Sequence, residues 1–299
     1  METNNDFSPE IRKQHWYSGD SRKAANGRAN DVILEKLGIK PIEDLSDVEA
    51  VQMGHVMQPV IGRLAQEKLG IELKDADYAI THPQEIWLRS HFDFISADGK
   101  TLVEAKNYNA MVRNKFDSDA NIIPAADMAQ IIHEAACHNV DRVVLAVLFG
   151  GQNFETFDFT ITPDMKEQLI KDMATYWAAV VAKEPLTPET TQQVKLLYPA
   201  DKGSRVAANQ QIERVASALK VIKANIKELE KKEEDFTLAL QNHMQTGAEL
   251  LSADGSILAT WKSAKASKRF SADLFRTAMP DIYEKFVIEQ AGSRRFLLK

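Results

Sequence analysis

Apolar positions change rhythm several times along the chain, and each rhythm predicts an element. Ser46 with Glu49 three residues later makes a capping box, and the helical spacing that follows runs to about Leu69, where Gly70 can end it. Pro59, inside this segment, predicts a kink or a restart. Two short apolar runs, His91 to Ile95 and Thr101 to Lys106, flank Asp98-Gly99 and predict an antiparallel hairpin with those two residues as its loop. Pro124 opens a helix to about His138, with Met128, Ile131, Ile132 and Ala135 as its buried stripe. The unbroken apolar run Val143 to Phe149, closed by Gly150-Gly151, predicts a central strand covered on both faces. Phe157, Phe159 and Ile161 alternate as in a further strand, and Asp164 to Val181 reads as a helix.

Pro185, Pro188 and Pro199 interrupt the pattern between Lys183 and Gly203. They predict a first domain over residues 1–182, a linker over 183–204 and a second region over 205–299. The second region opens on a heptad: Ile212, Val215, Leu219, Ile222, Ile226, Leu229, Phe236 and Leu240 alternate steps of three and four, broken where Glu233 takes a seam position. Such a helix needs a partner to cover its stripe. Asp254-Gly255 predicts another hairpin, and from Trp261 to the end nine Lys and Arg residues face four acids. Trp261 and Phe270 are available there for base stacking. The fold class is α/β (α+β): a mixed central sheet flanked by helices, with a mainly helical carboxyl-terminal extension.

Composition narrows the function classes. The 299 residues are 44% hydrophobic and 27% charged, which excludes a disordered chain, and a lone Cys137 excludes an internal disulfide or a cysteine-rich metal site. No apolar stretch approaches the roughly 18 residues of a membrane span, and Met1 to Asp6 lack a basic region followed by an apolar one, so a cytoplasmic protein with no membrane partner is expected. At a formal net charge of −6, a nucleic-acid partner must be held by local basic patches.

The predicted hairpin concentrates candidate chemistry. With Asp98 and Gly99 as loop, partner numbers sum to 197, so Asp93 faces Glu104 directly. Like charges so placed destabilise a sheet, and either a raised pKa on one acid or a bound divalent cation offsets them. Lys106 shares the face of Glu104, while Val103 and Ala105 point the other way. Two acids and an amine on one surface suit phosphodiester hydrolysis, in which a metal and a lysine serve the attacking water. The alternative reading is a solvated hairpin face carrying an ordinary ion pair.

Asp93 followed by Glu104-Ala105-Lys106 resembles the aspartate and acid-x-lysine triplet of the YqaJ-type phage recombination exonucleases, relatives of lambda exonuclease within the PD-(D/E)XK restriction-endonuclease-like fold. Gly54 to Gly70, Met128-Ala129-Gln130 and the strand ending in Gly150-Gly151 extend the resemblance over residues 15–182. It implies a deoxyribonuclease acting 5' to 3' on linear double-stranded DNA ends, which leaves single strand for a single-strand annealing protein. By the same resemblance Asp93, Glu104 and the Ala105 carbonyl hold Mg2+, for which Mn2+ can substitute, Lys106 serves the water, Gln130 positions water or phosphate, and Arg22, Lys23 and Arg28 grip the DNA. A homo-oligomer, with a trimer as first guess, is implied too. Gln58 stands where the family has a metal-binding glutamate, so an oxygen ligand is kept and a negative charge lost. His55, one turn earlier, shares its face. The departure admits two alternatives: a catalytically weakened DNA-binding or assembly protein on this fold, or an endonuclease.

Overall fold

Strong β-formers in three consecutive runs build the centre of the first unit. In the computed structural model, which describes residues 8–76, 78–289 and 292–299, the chain divides into two units, up to Tyr198 and from Pro199 onward. The reading made on Met1 to Asp6 lies outside the described residues.

In chain order the first unit contains α1 (Pro9–Gln14), β1 (Trp16–Tyr17), α2 (Ser18–Lys23), α3 (Ala29–Lys36), α4 (Glu49–Leu69), β2 (Leu73–Asp75), β3 (Ala79–Thr81), β4 (Leu88–His91), β5 (Phe94–Ser96), β6 (Thr101–Tyr108), α5 (Ala125–His138), β7 (Arg142–Phe149), β8 (Asn153–Thr160), α6 (Pro163–Ala182) and α7 (Thr191–Leu197). The main sheet has the order β2-β5-β6-β7-β8; β6 and β7 are parallel and the other neighbours antiparallel. The expected mixed sheet is therefore present. Strand β7 lies inside it, buried from Val143 to Phe149 on both faces, as its uninterrupted apolar run requires.

The two sheet faces carry different layers. Val103, Val144, Ala146 and Leu148 pack with Phe94 against Ile61 and Ala65 of α4. Leu102, Val143, Leu145, Val147, Phe149 and Phe157 face the larger core, which includes Ile131, Ile132 and Ala135 of α5 and Val32 and Ile33 of α3. Helix α4 is the layer that the spacing after Ser46 predicts, with two differences. It starts at Glu49 with Val48 as N-cap and no side-chain cap, because Ser46 lies in a preceding turn held by Asp44. It also runs through Pro59 unbroken; Pro59 and His55, whose carbonyl loses its helical donor, are both exposed, so water takes up the lost bond. Gly70 ends the helix in the left-handed region, as expected.

The hairpin differs from expectation in its loop and agrees in its register. Residues 97–100 form a four-residue loop in which Asp98 Oδ1 accepts from the Lys100 N–H and the Ser96 hydroxyl, and Gly99 takes a positive φ. Phe94 pairs with Val103 and Ile95 with Leu102, the predicted sum of 197. The loop grew symmetrically about the Asp98-Gly99 bond, which leaves the register unchanged. The expected strand 91–95 is split: His91 ends β4, which pairs with β1 and β3 in a separate sheet, and Asp93 sits in the break before β5.

Part of the expected linker belongs to the first unit. The Asn30 side chain accepts from the Leu186 N–H and donates to the Leu186 carbonyl and to Gln193 Oε1, while Gln193 donates to Asp31. Polar anchoring of this kind leaves no hydrophobic periodicity to read, so residues 183–198 look like a linker in sequence. Among the described residues no helix is long and apolar enough to cross a membrane.

The second unit contains α8 (Gln210–Met244), the antiparallel pair β9 (Glu249–Leu251) and β10 (Ile257–Thr260), and two short helices, α9 (Ala272–Ala278) and α10 (Pro280–Lys285). The heptad helix and the hairpin around Asp254-Gly255 are both present.

Candidate active site

Register alone brings the predicted acids together, and the break before β5 gives their cluster an open edge. Strand β5 starts at Phe94, so on that edge β6 has no strand beside Ala105, and the Ala105 N–H donates instead to Asp93 Oδ2 at 2.8 Å. In an antiparallel pairing the N–H and C=O of one residue address the same edge, so the Ala105 carbonyl faces the same opening. The Asp93 and Glu104 carboxyl groups lie close enough to act on each other's charge, and Lys106 Nζ donates to Glu104 Oε1 at 2.6 Å. Gln130 Nε2 donates to the same Glu104 oxygen at 2.6 Å and to Glu134 Oε1 at 2.9 Å. The structure thus unites Asp93, Glu104, Ala105, Lys106 and Gln130, all expected from sequence. Gln130 is buried, at 7% exposure.

Glu134 is the member that sequence reasoning missed. It is fully buried, and its Oε2 has no hydrogen-bond partner. The signal was its position, four residues after Gln130 and so on the same side of the helix. The stripe reading hid it, because α5 is enclosed nearly all round from Ala129 to Cys137 rather than along one face.

The electrostatics follow from three carboxyl groups around one ammonium in a low-dielectric setting. Burial and the adjacent Glu104 charge hold Asp93 and Glu134 well above the ordinary carboxyl range, against the pull of Lys106. Burial works against the charge on Lys106, but Glu104 and Tyr108 outweigh it and the ammonium titrates above its usual value. Lys106 therefore stands beside Glu104 as a charged donor. Cys137 is buried, and burial with the neighbouring Glu134 raises its thiol, which excludes a thiolate nucleophile.

A basic cleft of about 290 Å³ adjoins this cluster through Tyr108, two residues beyond Lys106 on β6, and Arg22, Lys23, Arg28 and Lys115 line it. The turn at Asn26-Gly27 makes this possible: Gly27 has φ 74°, and the break lets Arg28 join the same cleft as Arg22 and Lys23. Each predicted cation is held by an acid: Arg22 by Asp127 at 2.9 Å, Lys23 by Glu35 at 3.0 Å and Arg28 by Asp31 at 3.2 Å. Arg22 also donates to the Tyr108 hydroxyl, which donates to Asp127; burial and the Asp127 charge push that phenol up to about 12. Lys115 is a further cation that the sequence reading did not single out.

A second cleft of about 200 Å³ is lined by Asp93 together with Gln58, His55, Asp75 and His91. The helix after Gly54 does bring Gln58 to the acid cluster, as expected. Among the described residues no three His, Cys, Asp or Glu side chains converge at metal-ligand spacing. The donors available to a dication are two adjacent carboxylates and a strand-edge carbonyl, which matches magnesium's habit of taking one or two protein carboxylates and completing its shell with water and substrate phosphate.

Behind the cluster His133 is fully buried, its Nδ1 2.8 Å from Ser21 Oγ and its Nε2 3.1 Å from the Arg89 carbonyl, and burial pulls its pKa down to about 4. The unfolded chain takes up a proton near pH 6.5 and the folded one only near 4, so the contribution is intact above pH 6.5 and is lost as pH falls through that window. The loss amounts to roughly 3 kcal/mol. Urea unfolding of wild type and His133→Gln at pH 7 and pH 4.5 checks this: the stability difference between the two proteins should shift toward the variant at the lower pH, and a constant difference would refute it.

No protein-family profile matches the chain, and no curated protein does. Solved structures similar to the chain include the alkaline exonuclease LHK-Exo from Laribacter hongkongensis, at 12% identity and TM-score 0.49 over 57% of this chain and 90% of that one. LHK-Exo in complex with dAMP matches at 15% identity and TM-score 0.48, over 58% and 91%. A phage-related exonuclease from Haemophilus somnus 129PT matches at 10% identity and TM-score 0.42, over 61% and 90%.

Proposed function

We propose that the first unit is a magnesium-dependent deoxyribonuclease that shortens linear double-stranded DNA from a 5' end. The observation that carries this reading is the acid pair Asp93 and Glu104, side by side at an open strand edge with Lys106 donating to Glu104, next to a cleft lined by Arg22, Lys23, Arg28 and Lys115. Hydrolysis of a phosphodiester requires a positioned water, charge neutralisation on the phosphoryl oxygens and a grip on the backbone. Mg2+, or Mn2+ in its place, would be held by Asp93, Glu104 and the Ala105 carbonyl, with Gln58 at the margin, and supplies an acidified water and a polarised phosphoryl group. Gln130 spends both amide hydrogens on Glu104 and Glu134, so its part is to fix the carboxylate in place. Lys106 keeps its proton and steadies charge developing on the phosphoryl oxygens. The basic cleft holds the DNA backbone through cations whose direction is set by their acid partners.

The polarity, a role in recombination with a single-strand annealing protein, and a ring-shaped homo-oligomer, trimer first, belong to this proposal through the family resemblance. A second reading, a DNA-binding protein with weakened chemistry, is favoured by the neutral Gln58 beside Asp93. Incubation with linear and circular duplex, with magnesium or with chelator, separates the two. The hydrolytic reading expects loss of linear DNA only, dependent on metal, and faster digestion by Gln58→Glu. DNA binding without turnover in every protein and metal would establish the second reading; cutting of circles would establish an endonuclease.

A further inference from the structure

Helix α8 is 35 residues long, about 52 Å, and its seam is bare. Ile222 is 52% exposed, Leu229 64% and Phe236 70%, in a pattern sustained over more than four heptads, enough for a stable coiled coil. The charges on and beside that seam select the partner. A parallel copy in register would stack Glu233 on its own counterpart, like charges in an apolar layer, and would set Lys223 opposite Ala218 and Glu230 opposite Asn225, with no charge pair formed. An antiparallel copy in which facing residues sum to 455 places Leu219 against Phe236, Ile226 against Leu229, and Val215 against Leu240. In that alignment Lys223 flanks Glu230 of the other copy twice over, and Glu233 meets Ile222 with the partner's Lys223 next to it. Its centre falls between residues 227 and 228, near the midpoint of Gln210–Met244, so every turn of the helix is used.

We propose that α8 pairs antiparallel with α8 of a second copy of this chain. The occupant is the same helix reversed, since one alignment covers the seam from Val215 to Leu240, removes the Glu233 clash and forms two Lys223–Glu230 pairs. This inference is independent of the hydrolytic reading of the first unit.

Disulfide trapping in the full-length protein tests it, with wild type, whose only cysteine is the buried Cys137, as control. A mixture of Leu219→Cys and Phe236→Cys chains should form a cross-linked heterodimer on mild oxidation, while Leu219→Cys alone should not, because its two thiols would lie about 25 Å apart along the pair. Lys223→Glu should weaken self-association in sedimentation by about tenfold, and Lys223→Glu/Glu230→Lys should restore it. Cross-linking of Leu219→Cys with itself would show a parallel assembly and overturn the proposal. No cross-link in the mixture would overturn it too, showing the seam to be covered by another part of the chain or by a different protein.

Discussion

Lys106→Met should lower the rate of linear-duplex cleavage by about 10²–10³-fold while the protein stays folded. The magnitude is that of removing one preorganised charge from a site where charge develops in the transition state. Methionine keeps the length of the stem packed along the sheet and removes only the ammonium. In the wild type that ammonium is 2.6 Å from Glu104 Oε1, so its loss also leaves Glu104 facing Asp93 with one neutralising partner fewer. The effect should appear in kcat at saturating DNA, because binding is assigned to the cations of the separate cleft. A variant with unchanged kcat and weakened binding would place Lys106 among the backbone contacts and remove it from the chemistry.

Asp20→Ala should destabilise the fold by about 3–5 kcal/mol, the cost of leaving one member of a buried ion pair behind. Lys36 Nζ lies 2.5 Å from Asp20 Oδ2, and both side chains are under 5% exposed. Burial already lowers the Lys36 pKa against the pull of Asp20, so without the aspartate the ammonium keeps just the Arg12 carbonyl, at 2.6 Å, and the face of the Tyr17 ring, neither of them a charge. Asp20 also accepts the Tyr17 N–H at the start of α2, the helix that carries Arg22 and Lys23 into the basic cleft. Asp20→Ala/Lys36→Met should recover much of the loss, since the unpaired charge is gone. Denaturant unfolding of the three proteins decides it: a single variant within 1 kcal/mol of wild type would show that water reaches the pair.

The legible part of the site depended on strand parity. Asp98-Gly99 marked the centre of the hairpin, and any loop symmetric about it puts Asp93 opposite Glu104 and Lys106 on the same face, so an error in loop length did no harm. The break at Asp93 was not legible, because Phe92 and Phe94 continue the alternation of a strand while the backbone between them leaves one sheet for another. That break opens the edge beside Ala105. The amino-terminal helices escaped notice for a related reason: Asp20, Ser21, Asn30, Glu35 and Lys36 are polar and buried, each satisfied by a partner distant in sequence, and hydrophobic patterning records none of them. Glu134 belongs to the same class, a carboxyl in a core position whose purpose shows only when Glu104 and Gln130 stand beside it.

Release of nucleotides from linear duplex DNA in magnesium, by wild type and by Glu104→Gln, tests the central claim most directly. Glutamine preserves shape and hydrogen-bonding capacity but removes the charge shared by Asp93, Lys106 and Gln130. Metal-dependent release by wild type, with release by the variant reduced to the background of protein-free DNA, is the predicted result. Comparable release by both proteins would contradict the account and place the chemistry, if any, elsewhere in the chain.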